Sequence, residues 1–79
     1  MISRHERRAL GLNCHHRKPR SLGGSSKESN LSFVPPESHA AWHKLFKNYT
    51  PDVIATIINE TWLDPDYEFV CVKRPRKRR

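Results

Sequence analysis

The feature that most limits what this chain can become is the spacing of four histidines and one asparagine: His15 beside His16, then Asn30, then His39 and His43. His39 and His43 stand four apart in a stretch without helix breakers, so on a helix they are displaced by only about 40° around the axis and point the same way. The adjacent pair precedes them across a turn-rich segment, Pro19 to Ser26, that contains Gly23 and Gly24 and reverses the chain. The pattern asks for an extended segment laid against a helix. In that arrangement His15 or His16 joins His39 and His43 on one ion, leaving open positions for phosphate and water, and the other histidine of the pair is free to act as a base.

Length sharpens this expectation. A chain of 79 residues makes one domain at most, and at this size only roughly 60% of the unfolded surface is buried, so the core is thin. Cys14 and Cys71 are too few for a disulfide framework, and the opening Met1-Ile2-Ser3-Arg4-His5 lacks an apolar leader. The reading is a cytoplasmic protein with reduced, buried thiols. No stretch approaches the ~20 apolar residues that cross a bilayer. A bound metal is the remaining staple for so small a core.

The formal net charge is +7, and its distribution matters more than its size. Residues 1 to 20 carry six Lys/Arg against one acid, residues 73 to 79 carry six against none, and the span between carries three against seven. Two cationic ends imply a polyanionic partner, and nucleic acid is the plain choice. Arg17, Lys18 and Arg20 on the hairpin, with Lys73, Arg74, Arg76, Lys77, Arg78 and Arg79 at the end, are the expected phosphate contacts. No recognition helix or repeat is left over to enter a groove, so sequence preference is expected to be weak.

The chain divides into a basic segment over 1 to 12, a domain over 13 to 72 and a basic, disordered tail over 73 to 79. Ser3 to Glu6 has the spacing of a capping box, and the short helix it starts should close at Gly11. Asn13 to Lys18 and Asn30 to Val34 read as two strands joined by a long, flexible loop, the second halted by Pro35-Pro36. Glu37 to Lys47 reads as a helix carrying Trp42, Leu45 and Phe46 on one apolar stripe. A second helix opens at Thr50-Pro51-Asp52, carries Val53, Ile54, Ile57, Ile58 and Trp62, and stops at Asp64-Pro65-Asp66. Both tryptophans are expected in the core, and Tyr67 to Val72 reads as a last strand. The fold class is α+β: a β-hairpin and helix, with an additional C-terminal helix and short strand.

The set His15-His16, Gly23-Gly24, Asn30-Leu31, His39 and His43 resembles the HNH nucleases, the ββα-metal finger group, over roughly residues 13 to 47. The last two histidines, three residues apart in between, look like the colicin-type DNase variant of that finger. The resemblance implies that His16 is the general base, that His15, His39 and His43 hold one divalent ion (Mg, Mn, Ni or Zn), and that Asn30 fixes the loop between strand and helix as part of the catalytic set. It implies a low-specificity endonuclease acting on DNA rather than RNA, with a protein partner where specificity is needed. Two alternatives stand beside it: a nucleic-acid-binding finger without turnover, and a small RNA-associated structural protein with a folding metal.

Overall fold

The computed structural model describes residues 3–75. It is a small α+β fold whose contacts group into two units, one running to Asn48 and one from Tyr49 onward.

The first unit opens with helix α1 (Arg4–Ala9). Its capping box is complete: Ser3 Oγ accepts from the Glu6 N–H at 3.1 Å and Glu6 Oε1 accepts from the Ser3 N–H at 3.2 Å. These bonds satisfy two of the amide donors that a helix start leaves unpaired. Gly11, at φ +81°, turns the chain after the helix. Strands β1 (Asn13–His16) and β2 (Leu31–Val34) then pair antiparallel, with Asn13 opposite Val34, Cys14 opposite Phe33, His15 opposite Ser32 and His16 opposite Leu31. Proline at 35 and 36 ends β2 and starts helix α2 (Pro36–Phe46), where a missing N–H does no harm in the first turn.

The connection between the strands contains local structure of its own. Short 3-10 turns occupy Arg20–Leu22 and Glu28–Asn30, and one side chain ties the loop's ends together. Asn30 Oδ1 accepts from the Lys18 N–H at 2.7 Å, while its Nδ2 donates to the carbonyls of Lys18 at 3.0 Å and Ser25 at 2.7 Å. Two glycines make the turn fit. Gly23 sits at φ +90°, and a Cβ on Gly24 would overlap the Lys18 carbonyl.

The second unit begins with helix α3 (Pro51–Ile57), which widens into a π turn over Ile58–Trp62 closed by a 2.8 Å bond from the Leu63 N–H to the Ile58 carbonyl. Tyr67 to Val72 does not form the expected third strand; among the described residues the sheet has two strands. A side chain takes the place of a strand partner. Asn59 bonds both backbone groups of Phe69, at 2.8 Å and 2.9 Å, and so holds the segment to the helix at one point only. Lys73 and Arg74 are exposed and belong to no regular element, and residues 76–79 of the expected disordered tail lie outside the described residues.

The core is thinner than the apolar stripes suggest. Among the described residues Phe46 alone is buried, at 7% exposure, while Trp42 is 36% and Trp62 61% exposed, so neither tryptophan is the core residue expected of it. A two-stranded hairpin is too narrow to cover a whole helical stripe. Trp42 instead packs its ring on Phe46, with centroids 4.6 Å apart. Cys71 is likewise exposed rather than buried, and Cys14 is half-buried. Among the described residues no helix is long and apolar enough to cross a membrane.

The Asn30 amide ties the two ends of the hairpin loop together with three bonds. Asn30→Ala should lower the unfolding free energy by about 0.5–1.5 kcal/mol, because the Lys18 and Ser25 backbone groups exchange the amide for water. Gly24→Ala should destabilise as well, by steric overlap, and chemical denaturation of both variants measures the effect.

Candidate metal centre

Alternation along a strand decides which hairpin side chains meet α2. Residues 13 and 15 share one face of β1 and residues 14 and 16 the other. Asn13 and His15 lie against α2, where the Asn13 amide nitrogen is 3.2 Å from His39 Nδ1 and the His15 ring meets three aromatic neighbours edge-on. Its centroid is 5.3 Å from His39, 5.6 Å from His43 and 5.9 Å from Trp42. His39 and His43, one turn apart on α2, face each other with Nε2 atoms separated by 3.0 Å.

Each of His15, His39 and His43 offers a ring nitrogen, and these three atoms lie within 4.8 Å of one another. The histidines therefore lie close enough to hold one metal ion. Three observations fit that use. Two ligands at about 2.1 Å from a common ion sit about 3.0–3.4 Å apart at angles between square and tetrahedral, which matches the spacing of the His39 and His43 nitrogens. His15 Nδ1 is buried with no hydrogen-bond partner, so the bonding of that ring is incomplete within the chain. The donors are all imidazole, a common ligand type for metal ions in proteins.

Electrostatics point the same way. The His15 pKa is pushed below its usual 6.5, first by burial and then by the neighbouring His39, His43, His16 and Arg17. His39 is lowered too, by burial and then by His43. Both rings are thereby favoured in the neutral form, and only a neutral imidazole has a lone pair to give a cation.

The other expected residues fall around this cluster. His16, next along β1, lines a cavity of about 260 Å3 together with His39, His43, Arg20 and Ser21. Its Nε2 is 3.2 Å from Ser26 Oγ. A second cavity, of about 430 Å3, is also lined by His39, together with His15, Arg17, Ser32, Ser38 and Trp42. Arg17, Lys18 and Arg20 are exposed on the loop, and Arg17 reaches the Ser29 carbonyl only at 3.5 Å. Asn30 stands apart from the cluster's bonding, since its amide closes the strand-to-strand loop rather than a loop between strand and helix. Lys73 and Arg74 belong to the second unit, and Arg76, Lys77, Arg78 and Arg79 lie outside the described residues. Sequence reasoning missed Asn13, although period-two alternation places it on the face of His15.

The lowered histidines make stability depend on pH with a definite sign. In the unfolded chain His15 and His39 protonate near 6.5 and in the folded chain only below it, so on acidification the unfolded state binds protons first. Stability of the metal-free protein should fall as pH drops from 6.5 through the depressed folded values, and level off below them. Thermal melting in chelator at pH about 7.5 and about 5.5 checks this: the midpoint should drop at the lower pH, and His15→Asn should reduce the drop. Equal midpoints in the parent protein would contradict it.

The hairpin-then-helix frame with three neighbouring histidines is compatible with an HNH-type motif. No protein-family model, no curated protein and no solved structure matches the chain.

Proposed function

We propose that this protein is a metal-dependent endonuclease that hydrolyses phosphodiester bonds in DNA with little sequence preference. The observation that carries the reading is the meeting of His15, His39 and His43 within 4.8 Å, with His16 in the wall of a cavity that His39 and His43 also line. Those three imidazoles would hold a divalent ion, whose positive charge would stabilise the scissile phosphate and the leaving oxygen.

The remaining work falls to the chain's own side chains. His16 accepts a proton from the attacking water, the part of a general base. The 3.2 Å approach of Ser26 Oγ to His16 Nε2 holds the ring's orientation. Asn30 is a positioning residue: by gripping both backbone groups of Lys18 it fixes the chain two residues beyond His16. Arg17, Lys18 and Arg20 bind phosphates and orient the strand without reading its bases. Lys73, Arg74 and the basic residues that follow them add affinity of the same sequence-independent kind, and a protein partner supplies specificity where it is required.

Plasmid nicking with Mg, Mn, Ni and Zn in turn tests the reading. The wild-type protein should cleave with at least one of these ions. His16→Ala should slow cleavage by about 100- to 10,000-fold, the usual contribution of a general base, while zinc affinity and circular dichroism stay unchanged. His43→Ala should lose metal affinity and cleavage together. No cleavage by the wild type with any of the ions, or undiminished cleavage by His16→Ala, would overturn it.

A further inference from the structure

Asn13 has no part in the scheme above, yet it is the side chain that bonds the outer nitrogen of a cluster histidine. Its Nδ2 is 3.2 Å from His39 Nδ1, a part-buried contact between residues 26 apart in sequence. The other nitrogen of the same ring, Nε2, lies 3.0 Å from His43 Nε2. A neutral imidazole carries one proton on one of its two nitrogens, so these contacts are linked. With Asn13 Nδ2 donating to Nδ1, the ring proton stays on Nε2 and points at His43, giving a chain of bonds from Asn13 through His39 to His43. In that state His39 has no lone pair directed at the cluster.

A carboxamide has a second face of the same shape. Turned half a revolution, it presents Oδ1 to His39, accepts from an Nδ1–H, and leaves the Nε2 lone pair free to join those of His15 and His43. Resting on the metal-centre reading given above, we infer that Asn13 is a positioning residue whose amide serves both tautomers of His39 and turns over when a divalent cation enters the cluster. The ring proton moves from Nε2 to Nδ1 through solvent, with no change in net charge. Asparagine suits this role because it is both donor and acceptor in one plane; aspartate would serve the metal-bound tautomer alone, and alanine neither.

Such outer partners of ligating histidines typically change metal affinity by about 10- to 100-fold. Zinc titration by calorimetry on the full chain should therefore show Asn13→Ala binding about 10- to 100-fold more weakly than the parent, while Asn13→Asp binds at least as tightly as the parent. Ring 15N spectra of the wild-type protein give an independent readout: His39 should carry its proton on Nε2 without metal and on Nδ1 with zinc. Parental zinc affinity in Asn13→Ala, weaker binding by Asn13→Asp than by Asn13→Ala, or an unchanged His39 tautomer on adding zinc would each overturn the inference and leave the metal centre standing. If Asn13→Ala does not fold, the aspartate variant and the wild-type spectra decide. A wild-type protein that binds no zinc would remove the centre and the inference together.

Discussion

A ring nitrogen shut away from water without a hydrogen bond costs about 1–3 kcal/mol. Here that nitrogen is His15 Nδ1, in a protein with a single buried side chain among its described residues. Two further imidazoles stand edge-on to the same ring, both disfavouring charge on it. Apolar side chains of similar size would pack there at less expense. The arrangement is therefore poor as a core and good as a socket: imidazoles from a strand and a helix stand close together, and one of them, His15, has a buried nitrogen without a partner. On the metal-centre reading, binding to the folded state alone also stabilises it through mass action, which is what a fold this thin needs.

The pleat of β1 separates the parts that two adjacent histidines can play. His15 turns toward α2 and joins the pair on that helix, while His16 leaves the strand by its other face and reaches a different wall. His39 lines both cavities. Had the register slipped by one residue, His16 would face α2 and Asn13 would leave His39, so the pairing of Asn13 with Val34 and His16 with Leu31 fixes the site as much as the histidines do. The double proline after Val34 pins that register from one side, and the Asn30 clamp pins it from the other.

Much of this was legible in the sequence because it depends on local chemistry. The capping box at Ser3 and Glu6, the strand stop at Pro35 and the helix holding His39 and His43 follow from spacings of a few residues, whereas the choice of His15 over His16 as the ring that meets that helix came only from the family resemblance. What was not legible depends on partners far away in the chain. Asn13 resembles any strand residue until His39 lies beside it, and Asn30 signals a turn without saying that it binds Lys18 and Ser25 at once. Tyr67 to Val72 has a strand's composition, but a strand also needs a neighbour, and Asn59 satisfies Phe69 instead. Trp62 falls on an apolar helical stripe, and a stripe becomes core only where something covers it.

The loop gives the cations their meaning in the nuclease reading. Three basic side chains within four residues, at 17, 18 and 20, would ordinarily sweep a wide volume and help only by raising local concentration. Here the backbone beneath them is tied down: the Arg17 N–H bonds the Asn30 carbonyl at 2.7 Å, and both backbone groups of Lys18 are held by the Asn30 amide. Arg17 borders one cavity that His39 lines and Arg20 another. An uncharged asparagine thereby sets where the charges stand, and the same three bonds that stiffen the hairpin keep His16 at a fixed distance from the phosphate contacts.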